Sequence, residues 1–330
     1  MRDHTGPRFS IADDPAVYQA FPDVVLTASG KLLLVYRESD AHVPTWTRIM
    51  LTESADEGAT WSTPREHHRL SQQEHGWTWN CPRLAQLSDG RIALICDRRD
   101  QVKERLCKWE NVIWWSEDEG RAWPEPQNTG CRGYVPDRIL ELDDGALLLG
   151  LQHYDQSSQR LIQRVFRSTD RGATWGEPAV VASHPDYNLC EGSIMQLPSG
   201  ELLCFMRENS GKGYPTFLSR SSDRGQTWSP IEPTDMIGHR PVAGLLPDGR
   251  ILVTYRDVGG SWSFCAWLGD ETGRGRILRI EEDASRRAGD YGYSGWVRLP
   301  DGRIFIAYHL RGDAPTSRVR GCYLSERHFD

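Results

Sequence analysis

The stretch Ser168-Thr169-Asp170-Arg171-Gly172-Ala173-Thr174-Trp175 decides the fold, because it recurs. Ser54-Ala55-Asp56-Glu57-Gly58-Ala59-Thr60-Trp61 and Ser221-Ser222-Asp223-Arg224-Gly225-Gln226-Thr227-Trp228 repeat it. Ser116-Glu117-Asp118-Glu119-Gly120-Arg121-Ala122-Trp123 keeps Ser, Asp, Gly and Trp but has Ala for Thr. These residue types suit a tight turn between strands. Asp accepts hydrogen bonds from turn amides, Gly takes a φ > 0 conformation, and Trp folds back as an apolar plug. One such turn cannot bury its Trp alone, so each copy must sit on a repeated unit.

A second repeat interleaves with the first: an apolar strand, a turn ending in Gly, and another apolar strand. Its turn glycines are Gly30, Gly90, Gly145, Gly200, Gly249 and Gly302, spaced 49 to 60 residues apart. In Leu246-Pro247-Asp248-Gly249-Arg250-Ile251-Leu252-Val253-Thr254-Tyr255 the Asp-Gly pair divides two apolar runs, a hairpin signal. The interval fits a four-stranded sheet. Each boxed Gly follows its turn Gly by 25 to 30 residues, which places the box on the hairpin joining the third and fourth strands. Helical periodicity is absent. The expectation is an all-β chain, a six-bladed β-propeller of four-stranded antiparallel blades forming one domain over residues 1–330.

In the fifth blade Gly269-Asp270-Glu271-Thr272-Gly273-Arg274-Gly275 stands where a box is due, without its Trp. The sixth blade runs out of chain before a fourth strand, so residues 8–12 are expected to supply one and close the sheet edge. Residues 39–48, 100–109 and 283–290 are candidate insertions.

Composition excludes several classes of function. A net charge of −7 argues against general nucleic-acid binding. No apolar run reaches the roughly 18 residues of a membrane-crossing helix, and Met1-Arg2-Asp3-His4-Thr5-Gly6-Pro7 has no apolar secretory region. The eight Cys form no CxxC pair, and Cys96, Cys204 and Cys265 sit in apolar strand-like runs. Reduced core thiols and a cytoplasmic location are therefore expected. His67-His68 has no third ligand at a metal-site spacing, and no metal or organic cofactor is expected.

Nine residues before the turn glycines lie Phe21, Cys81, Pro136, Glu191, Arg240 and Tyr293. The last three place an acid, a guanidinium and a phenol in consecutive blades. Charged groups at such strand starts need partners, and mutual pairing is one reading of them.

The Ser-x-Asp-x-Gly-x-Thr-Trp repeat resembles the Asp-box of sialidases and related β-propellers, where it is structural. Gly292-Tyr293-Ser294-Gly295 before Leu299-Pro300-Asp301-Gly302 resembles the strand that carries the sialidase nucleophilic Tyr. Glu191, in Glu191-Gly192-Ser193-Ile194-Met195-Gln196-Leu197, resembles the Glu paired with it. Arg207, in Phe205-Met206-Arg207-Glu208-Asn209, resembles one member of the sialidase arginine triad, and Arg240, in His239-Arg240-Pro241, another. Arg37-Glu38-Ser39-Asp40-Ala41-His42 occupies the first-blade loop that holds an Arg and the catalytic Asp in sialidases.

The resemblance implies a retaining exo-glycosidase that releases a terminal acidic sugar, sialic acid or a related keto-acid sugar, from a glycan. A carboxylate on the anomeric carbon would repel an acidic nucleophile, so neutral Tyr293 would attack, with Glu191 as its base. Asp40 would protonate the departing oxygen, and Arg37, Arg207 and Arg240 would hold the sugar carboxylate. The implied partner is an anionic carbohydrate.

The pattern breaks in the first blade. Sialidases begin it Arg-Ile-Pro, whereas Tyr18-Gln19-Ala20-Phe21-Pro22 puts Ala20 in place of that Arg. A bidentate, geometrically fixed contact is thereby lost. Arg83 and Arg138, two residues beyond the equivalent position in the second and third blades, are candidates to replace it. The break leaves two other readings open. One is a propeller glycosidase or lyase acting on another anionic glycan such as rhamnosyl-glucuronate, with His42 beside Asp40 as acid or base. The other is a non-catalytic glycan-binding propeller.

Overall fold

A computed structural model describes residues 7–100, 108–285 and 291–329. They form six antiparallel sheets, the blades of a six-bladed β-propeller. Most of the expected insertions 100–109 and 283–290 lie outside the described residues. The blades fall in two compact units, residues 1–128 with 282–330 and residues 129–281.

In the first unit, the first blade consists of Tyr18–Leu26, Leu32–Ser39, Trp46–Ser54 and Arg65–Ser71. The second has a divided first strand, Thr78–Trp79 and Arg83–Gln86, then Ile92–Arg99, Trp109–Ser116 and Gln127–Asn128. The sixth contains Ser294–Arg298, Ile304–Leu310 and Arg318–Leu324, and Phe9–Ala12 pairs with Arg318–Leu324 as its outermost strand. A one-turn helix, Gln72–His75, interrupts the all-strand pattern. Ser71 caps it by accepting from the Glu74 amide, and its Oγ lies 3.0 Å from the Glu74 carboxylate. That Ser-x-x-Glu box is too short for periodicity to reveal.

In the second unit, the third blade is Leu140–Glu141, Leu147–Asp155, Arg160–Ser168 and Ala179–Ala182. The fourth is Leu189–Gln196, Leu202–Glu208, Phe217–Ser221 and Glu232–Pro233, and the fifth Gly238–Leu245, Ile251–Asp257, Ser263–Gly269 and Gly275–Glu282.

The core lies between neighbouring sheets. Leu33, Val35 and Ile49 of the first blade pack with Leu84, Ile92 and Trp114 of the second, and Leu148 and Val165 of the third with Ile194 and Leu202 of the fourth. Strands such as Leu32–Ser39 and Leu202–Glu208 are buried along almost their whole length, which is why they read as apolar runs rather than alternating ones.

The turn glycines behave as the sequence demands. All six have left-handed φ, between 79° and 91°. In the boxed turns the residue before Gly is left-handed too: Glu57, Glu119, Arg171 and Arg224 lie between 59° and 62°. In the first, Asp56 accepts from the Thr60 amide (2.8 Å) and hydroxyl (2.6 Å), Gly58 N donates to Ser54 Oγ (2.8 Å), and Trp61 Nε1 donates to the Gly58 carbonyl (3.1 Å). Asp118, lacking a Thr, keeps bonds from the Arg121 and Ala122 amides.

These turns face the neighbouring blade. A Cβ on Gly58 would meet Phe305 at 2.9 Å, and one on Gly120 would meet Leu33 at 2.5 Å. The ring of Trp61 packs on Phe305 with centroids 5.6 Å apart. Trp61, Trp123, Trp175 and Trp228 are half-buried rather than mostly buried, because one edge of each indole stays with its solvent-facing turn. The fifth blade substitutes another indole for the absent one. Trp267 is fully buried, and a Cβ on Gly269 or Gly275 would collide with its ring. Its Nε1 donates to Asp235 Oδ1 (2.6 Å), whose other oxygen accepts from Gly275 N (2.9 Å).

Candidate functional site

Three first strands carry a bulge at the position nine residues before the turn Gly. Register jumps between Ala20 and Asp23, between Cys190 and Ser193, and between His239 and Val242. At each jump a bulky residue takes left-handed φ: Phe21 at 56°, Glu191 at 48° and Arg240 at 52°. Such conformations cost about 1–3 kcal/mol apiece and persist only where the surroundings enforce them. In the third blade the same turn falls on Val135 (φ 52°), since Pro136 cannot adopt it.

The enforcement is visible. Asp23 accepts from the Leu84 amide of the next blade (2.9 Å), Asp137 from Ile194 N (2.9 Å), and Ser193 Oγ from Ala243 N (3.1 Å). At Glu191 the bulge frees two amides from the ladder, and two glutamines take them. Gln152 Oε1 accepts from Glu191 N (3.1 Å) and Gln163 Oε1 from Gly192 N (2.9 Å). A bulge with satisfied amides re-aims a side chain without orphaning backbone.

In the first unit the structure gathers Tyr293, His42 and Arg37 around Phe21. The Tyr293 ring is buried 5.0 Å from the Phe21 ring and 5.8 Å from that of His309. His42 is exposed on its loop; its ring lies 5.9 Å from Phe21, and Nδ1 is 3.0 Å from the Tyr18 hydroxyl. Arg37 is buried, its Cζ 4.5 Å above the Phe21 ring. Nη2 donates to the His42 carbonyl (3.0 Å) and Nη1 to Asn80 Oδ1 (3.5 Å). Asn80 is oriented by Asp97, which accepts from its Nδ2 at 3.0 Å. Among the described residues no carboxylate pairs with Arg37, and burial lowers its pKa. Phe21 follows Ala20 directly, so an aromatic face lies against the buried guanidinium beside the position where sialidases carry an arginine.

Asp40 does not stand ready as an acid in this arrangement. Both its oxygens are held by Thr45, from the amide (2.9 and 3.2 Å) and from the hydroxyl (2.5 Å). Partial burial alone would raise its pKa, yet these Thr45 bonds bring it below the usual carboxylate range. Arg83 is also committed: buried, with Nε 3.4 Å from Asp23 and Nη1 donating to the Ser294 carbonyl (2.9 Å). These contacts tie the guanidinium to three neighbouring blades.

In the second unit Glu191 and Arg207 meet, Nη1 to Oε1 at 2.8 Å, and Nη2 of Arg207 also donates to Asn209 Oδ1. Arg240 is buried and donates to the Pro136 carbonyl (2.7 Å). Arg138 is half-buried next to Asp137. Cys190 is fully buried, and burial pushes its thiol up, away from nucleophilic use.

Two residues here escaped the sequence reading. Arg256 is buried and its Nη2 lies 2.8 Å from His239 Nδ1. Burial, then the charges of Arg207 and Arg256, lower the His239 pKa to about 2, so the imidazole is neutral. A signal for Arg256 existed. Arg37 follows Gly30 by seven residues, Arg207 follows Gly200 by seven, and Arg256 follows Gly249 by seven. Each lies opposite a first-strand residue at its bulge: Ala20 with Arg37, Cys190 with Arg207, His239 with Arg256.

His67 and His68 pack edge-on against Trp114 and Trp79, with centroids 5.0 and 5.3 Å apart. Among the described residues no cluster of His, Cys, Asp and Glu could hold a metal ion, no helix is long and apolar enough to cross a membrane, and the cysteines are buried free thiols.

Residues 70–306 match the BNR repeat-like domain. Among solved structures, the fold is similar to a protein of unknown function from Dyadobacter fermentans (TM-score 0.85, 21% identity, 97% of this chain and 98% of that one). It is also similar to the NanB sialidase of Streptococcus pneumoniae (0.74, 14%, 100% and 72%) and to an α-L-arabinanase of Penicillium chrysogenum complexed with arabinobiose (0.70, 16%, 99% and 99%). The comparison with curated proteins gave no match. With its six blades, four recurrent turns and a family match over more than half its length, the chain belongs to the BNR repeat-like, sialidase-like β-propeller family.

Proposed function

We propose that this propeller is a sialidase-like exo-glycosidase that releases a terminal acidic sugar from a glycan. The observation that carries the reading is Arg37, a buried guanidinium stacked on Phe21 and, among the described residues, hydrogen-bonded to the neutral acceptors His42 O and Asn80 Oδ1. A buried charge without a counter-charge is costly, and an incoming carboxylate would relieve that cost. Tyr293, its ring 5.0 Å from that of Phe21, is the nucleophile in this reading, chosen because a neutral phenol approaches an acidic anomeric centre without repulsion. Glu191, kept beside Arg207, is available as a carboxylate to accept a proton. Arg207 and Arg256 place two guanidiniums in the second unit, the first held by Glu191 and the second by neutral His239. Arg37 donates to the His42 carbonyl, so a shift of residues 40–45 would free that guanidinium for a substrate carboxylate and release Asp40 for its role as acid.

The test is a screen of the purified protein against fluorogenic glycosides of sialic acid and related keto-acid sugars, with uronides, rhamnosides and arabinosides beside them. Release from the keto-acid glycosides alone supports the proposal. Turnover only of neutral sugars would sink it.

A second reading is favoured by one contact. The Tyr18 hydroxyl and His42 Nδ1, 3.0 Å apart, form an acid–base pair of the kind that removes a proton beside a uronate carboxylate. A product absorbing in the near ultraviolet would identify that elimination.

A further inference from the structure

In the first unit three half-buried indoles lie along the strand ends of the first and second blades. Trp46 begins the strand Trp46–Ser54, Trp109 begins Trp109–Ser116, and Trp77 directly precedes Thr78–Trp79. The strands that carry them are contiguous. Trp79 N donates to Thr47 Oγ1 at 2.8 Å, Thr78 pairs with Arg99, and Arg99 pairs with Trp109.

Every indole has a guanidinium over its ring. Arg48 and Arg69 lie 5.4 and 5.6 Å from the centre of Trp46, Arg98 lies 4.9 Å from that of Trp77, and Arg99 lies 5.7 Å from that of Trp109. Their charges are not equally compensated. Arg48 pairs with Glu38 (2.7 Å) and approaches Glu66 (3.7 Å), and Arg98 pairs with Glu110 (2.5 Å). Arg69 and Arg99 pair with no carboxylate among the described residues. Asn80, which accepts from Arg37, directly follows Thr78–Trp79, so this row adjoins the buried cation.

We propose that this row is a binding surface for the outer sugars of an acidic oligosaccharide, a uronate-bearing chain. Indole faces take the apolar C–H side of a pyranose, and guanidiniums fork onto its carboxylates. Two uncompensated cations in a chain of net charge −7 select an anionic partner locally, where the molecule as a whole would repel one. The choice of a glycan rests on the functional reading above; the anion selectivity rests on Arg69 and Arg99.

The test uses Tyr293→Phe protein, so that binding is read without turnover, titrated with a galacturonate hexamer and followed by tryptophan fluorescence. Saturable binding is expected, weakened by added salt. Arg69→Ser, Arg99→Ser and Trp109→Ala should each weaken it about tenfold. Arg69 is exposed, so its variant keeps the test valid even if Trp109→Ala misfolds. An arabinan hexamer bound equally well, an oligothymidylate bound as tightly, unchanged affinity in both Arg variants, or no binding by the Tyr293→Phe parent would each overturn the proposal. Hexamer binding without turnover of any acidic glycoside by wild type would defeat the catalytic reading and leave this surface standing. Turnover without hexamer binding would do the reverse.

Discussion

Arg207 donates from Nη1 to Oε1 of Glu191 at 2.8 Å, from the strand paired with the one whose left-handed bulge carries Glu191. The pair is largely sheltered, with 6% of the Glu191 side chain and 14% of the Arg207 side chain exposed. Arg207→Ala removes a charged partner of that carboxylate and should cost about 2 kcal/mol in denaturant unfolding. Arg207→Lys should recover little, because an ammonium cannot serve Glu191 and Asn209 with a planar fork. A variant as stable as wild type would show that the bulge, not the ion pair, holds Glu191.

Tyr293→Phe removes a hydroxyl and leaves the ring contacts with Phe21 and His309. Stability should change by less than about 1 kcal/mol while kcat on an acidic glycoside falls by about two orders of magnitude or more. Retention of most of the activity would exclude the phenol as nucleophile. The comparison variant is His42→Ala, which spares hydrolysis in the first reading and abolishes elimination in the second.

Acid should destabilise the fold in two windows. His239, held at about 2, gives a gradual loss over the whole range below about 6.5, and burial lowers the His67 pKa to about 4. Its unfolded value is near 6.5, so the unfolded chain takes up the proton first, and stability is lost as pH falls from about 6.5 towards 4. Asp56, Asp170 and Asp223 are held at about 2, chiefly by the hydroxyls of Thr60, Thr174 and Thr227. Their contribution is full above about 4 and disappears as pH falls towards 2. Thermal melts across this range should show both slopes. Asp56→Asn should flatten only the lower one and His67→Gln only the upper.

Trp61→Ala should cost about 2–3 kcal/mol, less than a fully buried indole, because the residue is only partly buried. Gly120→Ala should cost about 1–3 kcal/mol, since φ is 84° and the new methyl would meet Leu33 at 2.5 Å. Chemical denaturation of each variant checks both figures. A loss below about 0.5 kcal/mol in both would show that these turns do not bind the blades together.

Blade number, the first hairpin of each blade and the four boxed turns were legible in the chain because their chemistry is local. Asp56 reaches Thr60 and Ser54 within four residues, and a turn Gly needs only its own φ. The candidate site was legible in part. Glu191, Arg207, Tyr293 and Arg37 stand at fixed offsets from turn glycines, and the same offset would have found Arg256. Only tertiary structure decided what those residues touch. Arg83 is engaged by Asp23 and Ser294, which lie 60 and 211 positions away along the chain, and Asp40 is tied down by Thr45. Sequence distance says nothing about such meetings. They are set by which blade packs against which, and by the bulges at Phe21, Glu191 and Arg240, where Gln152 and Gln163 take the amides of Glu191 and Gly192 and Asp23 reaches across to that of Leu84.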